Sequence, residues 1–188
     1  MGYPTLPNNR MIVNGVDLSV TYGMIMTDEY VLEPPSPKTY SIDIPGGNGK
    51  LDVTEALMGD VAYDNRKNTF KFYVVDVDDF ERVKTTVCNF LHGRRFPYVL
   101  TMDPEHTYIG RFSVTAYSAK LYMVGLVGVF DVTVDTEPFK YKDDQVYRID
   151  GLGGKFRVFP SGRMMVKPVI ETPVEIKMGF NDTMITVP

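Results

Sequence analysis

The chain has 188 residues, 44% apolar and 23% charged, which suffices for one core, or one core with a small second unit. A net charge of -4 argues against a general nucleic-acid binder, which would carry a basic surplus. The single cysteine, Cys88, excludes an intramolecular disulfide framework, and no apolar run approaches the ~20 residues of a membrane helix.

Residues 1–10 hold two prolines and two asparagines and read as a loose arm. The start lacks an apolar signal core, and Leu6 breaks the myristoylation pattern, so the expected product is soluble and made in a cytoplasm. Met11–Val13, a tight Asn14-Gly15 turn and Val16–Val20 predict a hairpin. Tyr22–Leu32, rich in Met, Tyr and Val, predicts another extended piece. Pro34, Pro35 and Pro37 then make a stiff connector. Tyr40, Ile42 and Ile44 alternate with polar residues on one strand face. Pro45 ends that run, the Gly46-Gly47-Asn48-Gly49 segment turns, and Leu51 and Val53 resume it. Asn65–Asn68 reads as a polar turn before a strand that buries Phe70, Phe72 and Val74.

Asp79–His92 has helical period, with Phe80, Val83, Val87, Phe90 and Leu91 on one face. Asp78 or Asp79 suits its N-cap, Gly93 its left-handed C-terminal cap, and Arg94 and Arg95 its negative end. Phe96–Met102 predicts a strand, Asp103–His106 a turn, and Thr107–Ala119 and Leu121–Thr136 two long strands. Gly125 and Gly128 mark a bulge or a close backbone approach. The expected class is mainly β, a sandwich or barrel with one covering helix, followed by a partial β-rich C-terminal segment. Gly151, Gly153 and Gly154 suggest a boundary, dividing the chain into 1–148 and 149–188. Short β runs are predicted at Phe156–Phe159, Val166–Ile170, Val174–Met178 and Met184–Val187.

Reactive constellations are weak. Gly46–Lys50 lacks the Lys-Ser/Thr ending of a phosphate loop, because Leu51 follows Lys50. Asp76, Asp78 and Asp79 resemble a calcium loop, but its sixth and twelfth positions hold Glu81 and Val87 rather than Gly and an acid. His92 and His106 have no partner at zinc spacing. A Cys88–His92 nucleophile pair competes with a plain buried thiol at the helix face. Met24, Met26, Met164 and Met165 read as packing fillers or flexible contacts. Asn181-Asp182-Thr183 fits a glycosylation acceptor only on a secretory route. No catalytic, cofactor or metal residue is therefore assigned, and no enzyme is expected.

The string Y-x-I-D-I-P-G-x-N-G-x-L-D-V-T-E-A-L-x-G from Tyr40 to Gly59 carries a family resemblance. It continues in Tyr63-x-Asn65-Arg66, Phe70-x-Phe72, Asn89–Arg94 and Gly110-Arg111-Phe112. In this order the motifs resemble the N-terminal domain of phage distal tail proteins, over roughly residues 10–141. The resemblance implies a homo-oligomeric, hexameric ring in the virion. It would join tail-tube protein to the tail-tip or baseplate hub, pass DNA only in transit and touch no membrane. It also implies that residues 149–188 open like a galectin-like or carbohydrate-binding domain and stop short, truncated or vestigial. Candidate interface residues are Tyr22, Met24, Met26 and Tyr30 on an extended edge, Gly46, Gly47 and Asn48 in the turn, and Arg66. The same segments could instead complete the chain's own sheet. The alternative function is a tail-tip adaptor that binds host glycan through Phe156, Phe159 and Phe180. A tail-associated hydrolase has no constellation to support it.

Overall fold

A computed structural model describes residues 9–56, 59–75, 80–122, 125–143, 176–180 and 183–187, with the backbone alone at 75, 120–122, 125–126, 176–180 and 183–187. The elements are β1 (Met11–Val13), β2 (Val16–Asp17), α1 (Leu18–Tyr22), β3 (Met24–Val31), β4 (Ser41–Asp43), β5 (Lys50–Asp52), β6 (Arg66–Val75), α2 (Phe80–Leu91), β7 (Arg95–Leu100), β8 (Asp103–Tyr122), β9 (Gly125–Thr136), β10 (Tyr141–Lys142), β11 (Ile176–Phe180) and β12 (Thr183–Val187). The protein is mainly β, with one large antiparallel sheet and few helices. The sheet runs β2-β1-β7-β8-β9-β6-β3, with β10 added to β8. The chain divides into two compact units, Met1–Gln145 and Val146–Pro188. In the second unit β11 and β12 pair antiparallel, from Ile176 opposite Val187 to Phe180 opposite Thr183.

Period-two patterning builds the core. Phe70, Phe72 and Val74 of β6, Phe130, Val132 and Val134 of β9, and Phe112 of β8 are buried together with Met24 and Met26 of β3. Removing each such side chain from water favours folding by ~1.5–3 kcal/mol. Helix α2 lies on this layer as its periodicity predicts. Val87 and Leu91 are buried, and Phe80, Val83 and Phe90 pack partly against the core. Phe90 bridges to Tyr22 and to Phe96, each with ring centres 5.5 Å apart. Gly93 follows the helix at φ 76°, as expected of its cap. The expected caps Asp78 and Asp79 lie outside the described residues.

Four local expectations are corrected. Val16–Val20 is not one strand, because Leu18 starts α1. The Asp17 side chain accepts hydrogen bonds from the Ser19 and Val20 backbone N–H groups, and left-handed Gly23 ends the helix. Asn65–Asn68 is not a turn throughout, since β6 begins at Arg66 and Asn68 is fully buried. Asp103–His106 is not the turn between β7 and β8. Leu100 faces Asp103 across Thr101-Met102, and a register shift accommodates the next residues. The last long strand starts at Gly125 rather than Leu121, which belongs to β8.

Candidate functional site

Residues 40–54 fold into a hairpin that forms a sheet of its own. Ile42 faces Leu51, with Ser41 opposite Asp52 and Asp43 opposite Lys50. Pro45 and left-handed Gly46 occupy the centre of a turn closed by Gly47 N–H donating to Ile44 C=O at 3.0 Å. That is the residue order of a type II turn. At the base, Val53 N–H donates to Tyr40 C=O, and Tyr40 N–H donates to the Thr54 hydroxyl. Tyr40, Ile42, Ile44 and Leu51 share one face by strand alternation, and they remain 66%, 48%, 46% and 54% exposed. The other face is polar. Its Asp43–Lys50 pair is solvent-exposed and stabilises little. A lone two-stranded hairpin is marginal in water, so this face is built to be covered.

Gly46, Gly47 and Asn48 sit at the exposed tip of this hairpin. Tyr22 closes α1 and packs on Phe90. Met24 and Met26 are buried in the chain's own core, and Tyr30 is partly buried against it. Beyond the core, β3 presents the exposed Asp28, Glu29 and Val31 and a free backbone edge. It ends the sheet, and its second edge meets no strand among the described residues. A bulge between Met26 and Tyr30 interrupts the pairing of β3 with β6, and Glu29 N–H donates to the Thr27 hydroxyl there.

Sequence reasoning missed a further open edge, inside the strand order. β8 pairs with β7 only as far as Arg111, yet it continues along β9 to Tyr122. Gly93 N–H, donating to Phe112 C=O, and His92 Nδ1, accepting from Val114 N–H, cover the first positions past β7. His92 thus acts as an acceptor at the α2 end. From Ala116 to Tyr122, β8 has a strand on one side only, among the described residues. The unequal lengths of the predicted strands were the signal that could have revealed it.

Two polar groups were also missed. Asn68 donates to Tyr98 OH at 2.9 Å and to Thr136 Oγ1 at 3.3 Å, while its Oδ1 accepts from Glu33 N–H. These groups satisfy one another in the core. Nearby, Arg66 lies over the Tyr108 ring at 5.2 Å. Asp103 accepts from Lys140 and Tyr108, and its other oxygen meets His106 Nδ1 at 2.6 Å. Burial works against the Asp103 charge, but Lys140, Tyr108 and His106 outweigh it and hold its pKa well below the usual carboxylate range. Burial and the Asp103 charge push the Tyr108 hydroxyl upward.

The outer sheet face is polar and internally paired. Lys71 meets Glu29, Arg95 meets Glu137, and Asn65 donates to Asp135. A cleft on it is lined by Asn65, Arg95, Arg111, Asp135 and Glu137, with no histidine or cysteine. Among the described residues no group of acids, histidines and cysteines is placed to hold a metal, and no helix is long and apolar enough to cross a membrane. Asp76, Phe156, Phe159, Met164, Met165 and Asn181 lie outside the described residues, as does the Phe180 side chain.

No protein-family model and no curated protein matches the chain. Among solved structures, it is similar to the SPP1 Dit (gp 19.1) protein, described as a paradigm of the hub adsorption apparatus in phages infecting Gram-positive hosts. The match has 18% identity and a TM-score of 0.49, and covers 72% of this chain. It spans 53% of that protein, about half its length.

Proposed function

We propose that this chain is a structural phage-tail protein whose copies close into a ring, six by the family resemblance of its motifs. The ring sits at the distal end of the tail, between tail tube and tail-tip hub, and leaves a channel for DNA. The observation that carries this reading is the β4–β5 hairpin, whose apolar face has no cover within the described chain. Tyr40, Ile42, Ile44 and Leu51 would lie on the next copy, each contributing ~1 kcal/mol or more on burial. The sheet supports a head-to-tail arrangement, because the β3 edge and the β8 overhang differ. The β3 edge of one copy meets the β8 edge of the next, and closure leaves neither of these two edges free to grow a fibre.

The outer sheet face suits a channel wall. Several of its charges are paired within the chain, and Thr69, Ser113, Thr115 and Thr133 stand among them. A neutral polar wall lets phosphates pass without holding them, whereas a basic one would retain them. Light scattering and native mass measurement test the reading. A discrete closed oligomer is expected at high concentration or on a tail-tube partner. A chain that stays monomeric under both conditions overturns it.

A further inference from the structure

We propose that Arg66 is a docking site for a carboxylate that comes from outside the folded Met1–Gln145 unit. Arg66 opens β6 opposite Thr136, two residues before the buried Asn68 and on the same strand face. Its Nε and Nη2 are both buried, and among the described residues neither has a hydrogen-bond partner. The neighbouring Asn68–Tyr98–Thr136 group is satisfied, which makes this guanidinium the exception in its layer.

Several acids of the surrounding segments are engaged elsewhere. Asp103 serves Lys140, Tyr108 and His106, Glu137 serves Arg95 and Tyr141, Asp135 accepts from Asn65, and Asp64 pairs with Lys38. Tyr108 offers only its ring face. Two donors kept out of water without acceptors are costly even on a part-exposed cation, and an apolar side chain of similar length would cover Tyr108 without that cost. The retained cation therefore calls for a partner.

The two unused donors identify its class. Nε and Nη2 lie along one edge of the guanidinium, the edge that forms two parallel hydrogen bonds to the paired oxygens of a carboxylate. A polyphosphate backbone is a poor alternative, because the chain's net charge of -4 repels it. The source is either an acidic side chain of a second copy or a free small carboxylate. The first source deepens the ring reading, but the site itself does not depend on it.

The test uses the full chain, dilute enough to be monomeric, titrated with sodium acetate against sodium chloride at equal ionic strength. The unfolding midpoint should rise with acetate and saturate, and the Arg66 Nε–H resonance should move along the same curve. Arg66→Met should abolish both responses, and Arg66→Lys should retain only a weakened one. If wild type shows the same midpoint and the same resonance in both salts, the site holds only water and the proposal fails. A concentration series separates the sources. Displacement of acetate as the chain self-associates identifies the second copy as donor. Acetate binding that persists through self-association assigns the site to a small carboxylate, and acetate binding without any oligomer would sink the ring while leaving this site intact.

Discussion

Gly128 sits where the start of α2 crosses β9, and a Cβ there would lie 2.5 Å from one carbon of the Phe80 ring and 2.8 Å from the next. The expected close approach is real, and its cause is an aromatic ring laid on the strand. Gly110 is tighter, with the Asp135 carbonyl oxygen 2.9 Å away and a Val134 methyl at 2.5 Å. A ring can tilt, but a paired backbone carbonyl cannot. Gly128→Ala should therefore cost ~1–3 kcal/mol and Gly110→Ala the upper end of that range or more, as read by urea unfolding. Equal costs would mean that the Phe80 ring is as immovable as the ladder. Asp103 makes a different prediction. An unfolded aspartate titrates near ~3.9, and the folded one lies below that. The unfolded chain then binds more protons in the interval between the two values. The contribution of Asp103 is fully present above the unfolded value and is lost as pH falls toward the folded one. Asp103→Asn should lower stability at neutral pH and make the acid-side loss shallower. A series of urea midpoints from about pH 6 to pH 3 checks this, and parallel slopes for the two proteins would contradict it.

At the scale of elements, α1 depends on a single cap. Asp17 accepts from two backbone N–H groups and from the Ser19 hydroxyl. Asp17→Ala should cost ~1 kcal/mol, while Asp17→Asn should recover most of it, again by urea unfolding. The helix is hidden in the sequence because Leu-Ser-Val-Thr-Tyr is short and rich in strand formers, although Asp17 and Gly23 bracket it with ordinary helix signals. Helix α2 is legible because twelve residues carry a full apolar stripe. β6 is legible from Phe70 onward but not before it, since Arg66 and Asn68 look like turn residues until Tyr98 and Thr136 arrive from distant strands. The alternation in β4 and β5 does give their shared face. What the face meets is a tertiary fact, and nothing among the described residues buries it. The hairpin prediction follows from that. Ile42→Asp and Leu51→Lys should leave unfolding within ~0.5 kcal/mol of wild type, as surface changes do. They should nevertheless lower self-association at least tenfold by sedimentation. A variant that unfolds early would show that the hairpin supports its own monomer.

At the scale of the molecule, every strand of the large sheet lies between Met11 and Lys142. Its pairings join segments far apart in sequence, such as β1 with β7 and β3 with β6. Such a sheet forms late and cooperatively, because loop closure precedes the contacts that stabilise it. The unit Val146–Pro188 is close to the ~40-residue size below which a chain rarely folds unaided. A chain ending at Gln145 should then unfold in one cooperative step with a midpoint close to that of the full protein. The hairpin, the β3 edge and the β8 overhang belong to this first unit, so residues 1–145 should also self-associate as the full chain does. Ile42→Asp introduced into the shortened chain should abolish that association without changing its unfolding. Two measurements on one pair of proteins thus separate folding from assembly. If the shortened chain folds normally but stays monomeric where the full chain associates, then the contacts that close the oligomer belong to residues 146–188 rather than to the sheet edges and the hairpin.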